Sequence, residues 1–279
     1  MNRPGVYFFL GCVSVCLMAC VPADQLPAGS VPGGVPSAAG GKGYPDLGAG
    51  ATVVNGIHFS VKAYNDSDAR QVMTTAENLY NKILNDTGLY NVMGQTMFKI
   101  VVYRDHDDYT AQTHQMSSSR IVLSSSTLYT YPGADLDAPM AHQMTHLIFE
   151  SYVGEKASNF RWLDEGLAMF EELSKMSDAD KAAFQSNQVN ALRTNKMPFS
   201  QMTFYVPNNE DQRFTDSWYA QVESVVAFLI SQGTSQNFAG LLNDLKQNLD
   251  IDRALANNYP QKFRSMNDLE TAWKATVPS

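Results

Sequence analysis

Two histidines four residues apart, His142 and His146, are the first residues whose spacing suggests chemistry. Four residues is just over one helical turn, so on a helix both imidazoles share a face. Two neutral imidazoles so placed can each give a ring nitrogen to one zinc ion at about 2.0–2.1 Å. Alone the pair is weak, because His-x-x-x-His also arises by chance on helix surfaces. A third ligand-competent side chain follows: Glu165, within Arg161-Trp162-Leu163-Asp164-Glu165-Gly166-Leu167-Ala168. Cysteine chemistry is excluded from most of the chain, since Cys12, Cys16 and Cys20 all lie at its start. Histidines, carboxylates and hydroxyls must therefore carry any metal or catalytic work. His58 reads as a strand residue. His106 and His114 flank a polar run with Asp105, Asp107 and Asp108, which reads as solvated loop rather than a second metal site. Glu171 and Glu172 read as a solvated helix end.

The stretch from Ala141 to Glu172 resembles the gluzincin metallopeptidases, the peptidase MA-like families. Their pattern is H-E-x-x-H, a short connection, then W-L-x-E-G-x-A on a second helix. The resemblance implies a zincin-like fold, a zinc cofactor, and His142, His146 and Glu165 as its ligands. Three protein ligands leave a fourth position for water, as hydrolytic zinc requires. Asp164 adjoins Glu165 but points about 100° away around its helix, which makes it a candidate to orient a histidine from behind. Weaker likeness extends to Trp218-Tyr219-Ala220-Gln221 and to the closing Leu269-Glu270 and Trp273-Lys274. Tyr219 is then a candidate hydroxyl for a tetrahedral oxyanion, although the same tyrosine also reads as the anchor of a core helix.

The chain departs from the family at one decisive position. Where the family has the glutamate that takes a proton from the attacking water, this chain has Gln143. An amide can hydrogen-bond a water but cannot accept its proton at ordinary pH. Glu150, seven residues on, is about 10 Å along the helix axis and too far to replace it. Two outcomes stay open: a membrane-anchored zinc peptidase hydrolysing peptide bonds, or a pseudopeptidase that binds peptide or protein without turnover.

The elements that must position these residues follow from periodicity. Strands are expected over 56–64, 97–103 and 120–124, and a helix over 66–85 with apolar residues at helical spacing. A short helix fits 105–112. After Pro132-Gly133 the pattern is helical to the end, with helices over 137–152, 160–173, 178–192, 216–230, 236–249 and 267–276. Asp137 is the expected cap of the first of these, and Asn267 with Glu270 has the form of a capping box. The expected fold class is α+β: a small N-terminal sheet with a helix, then the active-site helix pair and a helical C-terminal part.

Residues 1–19 read as an export signal, with Arg3 ahead of an uncharged apolar run. Leu17-Met18-Ala19-Cys20 resembles the bacterial lipoprotein box, which implies cleavage before Cys20 and acylation of that cysteine. Residues 20–50 read as a lipidated cysteine and a tether, since 20 of residues 21–50 are Pro, Gly, Ala or Ser. Residues 51–279 are the expected folded domain. The implied location is the cell envelope of a bacterium, held to a membrane by lipid. With Val21 and not an acidic residue directly after Cys20, the outer membrane is favoured, facing the periplasm or the surface. A net charge of −8 argues against a nucleic-acid partner and against a polybasic grip on anionic lipid.

Overall fold

The computed structural model describes residues 43–277 apart from 91, 93–96, 116–119 and 206–211. The export signal, Cys20 and most of the tether lie outside the described residues. Five short strands form one mixed sheet: β1 (Thr52–Asn55), β2 (Phe59–Ala63), β3 (Phe98–Val102), β4 (Ile121–Ser124) and β5 (Thr127–Thr130). Their order is β1-β2-β3-β5-β4. β2, β3 and β5 run parallel, and antiparallel hairpin partners β1 and β4 close the two edges. The 56–64 strand expected from sequence is a hairpin turn followed by β2. β1 and β5 were not foreseen; four residues are too few for alternation to register.

Helix α1 (Asp66–Thr87) connects β2 to β3. Asn65 caps its start, the side chain accepting from Asp68 N–H, and Gly88 ends it at φ 75°, a left-handed conformation suited to glycine. Its stripe of Ala69, Val72, Ala76, Leu79, Tyr80 and Ile83 is buried against the inner face of the sheet, where Phe59, Val61, Ile100, Val102, Ile121 and Leu128 point. Alternation turns Val101, Tyr103 and Tyr129 to the outer face. There they meet Tyr109, from α2 (His106–Thr113), and Leu47.

That outer cluster moves the domain boundary. Leu47 is buried, the Tyr103 hydroxyl donates to the Pro45 carbonyl at 2.5 Å, and Lys62 pairs with Asp46 at 2.7 Å. Residues 43–50, assigned by composition to the tether, are therefore part of the packed domain. One tyrosine and one leucine among glycines are enough, because the sheet face supplies the rest of the apolar surface.

The C-terminal part is helical, as expected. α3 (Asp137–Val153) leads through a 3-10 segment (Gly154–Phe160) into α4 (Arg161–Leu173). α5 (Asp178–Thr194), the short α6 (Phe199–Met202) and α7 (Gln212–Ser231) follow, then α8 (Ser235–Lys246), α9 (Ile251–Asn258) and α10 (Met266–Lys274). Two caps differ from expectation. α3 is preceded by Leu136 with no side-chain cap, and Asp137 is its first helical residue. α10 is capped by Ser265 bonding Asp268 N–H, because Asn267 already lies inside the helix. α9 was missed; it is only eight residues long.

Candidate metal centre

α3 is buried almost all round: from Met140 to Phe149 every residue is in the interior. One stripe rests on α1 and the sheet, and the opposite stripe meets α4. His142 and His146 lie on that second stripe. Their rings meet edge-on with centroids 4.8 Å apart, and their Nε2 atoms are 3.1 Å apart. From α4, Glu165 Oε2 lies 3.6 Å from His146 Nε2 and 4.0 Å from His142 Nε2. Ligand atoms on a tetrahedral zinc at about 2.05 Å stand about 3.3 Å from one another, so these separations bracket that of a filled site. Among the described residues these three form the one group of His, Cys, Asp and Glu side chains that could hold a metal ion.

The outer nitrogens are held as well. His142 Nδ1 lies 2.8 Å from Glu172 Oε2, and His146 Nδ1 lies 2.8 Å from Asp164 Oδ1. Each Nδ1–H donates to its carboxylate, which leaves both Nε2 lone pairs directed at the same point. Two lone pairs 3.1 Å apart repel unless a proton or a cation lies between them. Glu165 Oε2 is itself buried without a hydrogen-bond partner. An orphaned carboxylate oxygen facing two acceptor nitrogens is a donor set suited to a divalent cation, so these residues fit the zinc that the sequence implied.

Burial and the neighbouring carboxylates set the electrostatics of the cluster. Burial alone would lower His142, but the Glu172 carboxylate, with Glu165 and Asp164 behind it, holds its imidazole above the usual histidine range. Burial pushes His146 down to about 4. Burial raises Asp164 well above the ordinary aspartate value and raises Glu165 too.

Gln143 lies between the two histidines on α3 and is 5% exposed. Its carboxamide oxygen accepts from the Leu123 backbone N–H at 3.2 Å. Gln143 therefore ties the ligand-bearing helix to the edge strand β4. Tyr219 is buried on α7 with its ring edge-on to Trp218, centroids 5.0 Å apart. α7 packs on α4 so closely that a Cβ on Gly166 would fall 2.5 Å from the Val222 carbonyl oxygen. Tyr219 sits one turn before Val222 on the same helix.

Sequence reasoning missed Glu172 and Glu171. Glu172 was read as solvated and instead holds His142. Glu171 is fully buried, and Lys82 of α1 bridges it at 2.7 Å and also pairs with Asp86. The signal for Glu172 was present: it stands seven residues, two helical turns, after Glu165 and so on the same face. Arg161 opens the same motif. It lies one turn before Glu165, with its guanidinium 3.6 Å from Glu165 Oε1.

Residues 129–279 match the profile of the Peptidase MA superfamily. No curated protein matches the chain.

Proposed function

The chain belongs to the Peptidase MA superfamily, and from that premise we propose that it is a zinc-binding, peptidase-like protein of the gluzincin type whose water activation is impaired. The observation that carries this reading is the convergence of His142 Nε2, His146 Nε2 and Glu165 Oε2, with both Nδ1 atoms anchored on carboxylates. Zinc bound by these three residues would polarise a peptide carbonyl and make a water nucleophilic near neutral pH. Asp164 and Glu172 fix the tautomer and tilt of the two imidazoles. Tyr219, on α7, is the candidate donor to the oxyanion. Gln143 occupies the position of the general base and orients without taking a proton. Asp164 and Glu172 are already engaged with imidazoles and Glu165 with the metal, so none of the three is spare to replace it.

Supported by the sequence motif around Cys20, the same reading makes the chain a lipoprotein of the bacterial envelope that meets peptides or proteins there. The alternative outcome is a pseudopeptidase, which binds such a ligand without turnover.

Two measurements test the proposal. Soluble protein is expected to hold about one zinc per chain, lost in a His142→Ala, His146→Ala double variant. Gln143→Glu is expected to keep the zinc and raise hydrolysis of a mixed peptide library by about 10²–10⁴-fold. Wild-type turnover equal to that of the glutamate variant would refute the impaired-base reading, and absence of zinc after reconstitution would refute the metal reading. A wild type with no detectable hydrolysis beside an active variant selects the pseudopeptidase.

A further inference from the structure

We propose that Arg161 is a positioning residue for the metal centre: it holds Glu165 Oε1 so that Oε2 alone faces the metal, and it completes the charge balance of the buried cluster. This inference rests on the zinc reading above. Its geometric basis is the 3.6 Å approach of the guanidinium to Oε1, while Oε2 points to the two imidazoles. The Arg161 side chain is 10% exposed and that of Glu165 is 1% exposed, so solvent screens this pair little. The arginine starts α4 and the glutamate follows one turn later, which places both on one face of one rigid helix.

Charge counting supplies the second reason. The cluster contains three carboxylates, Asp164, Glu165 and Glu172, and two imidazoles that are neutral when they ligate. A divalent cation leaves that set at −1, and Arg161 brings it to zero. An uncompensated charge in the interior is costly, whereas a paired and neutral set is tolerated. A guanidinium suits the place because it keeps its charge at every relevant pH. With Arg161 beside one carboxylate oxygen, Glu165 would offer a bound metal a single oxygen. Without that hold the second oxygen can turn to the metal and raise its coordination number.

The test uses Arg161→Gln and Arg161→Met, both uncharged, and Arg161→Lys, which keeps the charge. Zinc affinity is read by competition with a chromophoric chelator. The uncharged variants are expected to bind zinc about 10-fold or more weakly, the range usual for a lost partner of a ligand. Arg161→Lys is expected to stay near wild type. Cobalt(II) in place of zinc gives a readout that packing damage alone would not produce. Its visible band is expected to weaken in the uncharged variants as the ion becomes five-coordinate, and to keep the wild-type form with lysine. Uncharged variants that bind zinc as tightly as wild type and keep its cobalt spectrum would overturn the role of Arg161 while leaving the zinc reading intact. A lysine variant as weak as the uncharged ones would overturn the charge argument. A wild type that binds no zinc would overturn both readings together.

Discussion

Behind each imidazole stands a carboxylate, and the two carboxylates come from one helix. Asp164 and Glu172 are eight residues apart on α4 and reach His146 and His142 on α3. The hydrogen bonds decide which nitrogen of each ring carries its proton, and so which lone pair is offered. Asp164→Asn and Glu172→Gln keep shape but weaken the hold on the Nδ1–H. Each is expected to lower zinc affinity by about 10–100-fold with little change in far-ultraviolet circular dichroism; affinity unchanged in both variants would mean that the carboxylates do not support the site. At this scale the sequence was informative about the residues that meet and poor about those that support them. His142, His146 and Glu165 stand out because their types and spacing are unusual together. Glu172 does not, since a glutamate near a helix end is ordinary, and its place two turns after Glu165 is a faint signal beside the motif itself. Gln143 is legible as a substitution, but its bond to Leu123 N–H depends on a strand edge that no local pattern discloses.

Helix α4 holds the site by its contacts on three sides. α3 lies against its ligand face, α7 against Gly166, and α1 against Glu171 through Lys82. At Gly166 the close approach of two backbones leaves no room for a side chain. Gly166→Ala would press its methyl into the Val222 carbonyl and the Val226 side chain, at 2.5 and 2.6 Å. It is expected to cost about 1–3 kcal/mol by overpacking, seen as a lower denaturant midpoint, with zinc affinity reduced because Glu165 is the adjacent residue. An unchanged midpoint would show that α7 can move away freely. The long helices were readable because their apolar stripes repeat for many turns, as in α1, α7 and α8. The failures were β1, β5, α6 and α9, each too short for a period to emerge, and the starts of α3 and α10, where a capping-type residue lies just inside the helix instead of before it.

For the molecule as a whole, one buried acid outside the centre sets a dependence on pH. Glu223 on α7 faces α5, where Gln188 Nε2 donates to it and also to the Ala220 carbonyl. Burial pushes its carboxyl up to about 7. The folded state therefore keeps a proton that the unfolded chain has already released above about pH 4.5. Stability is lost as pH rises from about 4.5 to about 7 and is level above that, so far as this group is concerned. The full effect is about 3 kcal/mol at most. Glu223→Gln removes it: relative to wild type, the variant is expected to gain stability between pH 5 and pH 8 in urea titrations, and parallel pH profiles would exclude the assignment. A second feature acts at the same scale. The recognisable family segment begins at residue 129, inside β5, whose neighbours β3 and β4 both lie upstream. The cation that meets buried Glu171 also lies upstream, at Lys82. A chain cut at that point would carry His142, His146 and Glu165 and still lack the strands and the lysine that brace their helices. The segment that matches the family profile is thus smaller than the packed unit, and β4 and Lys82, upstream of it, brace the helices that bear His142, His146 and Glu165.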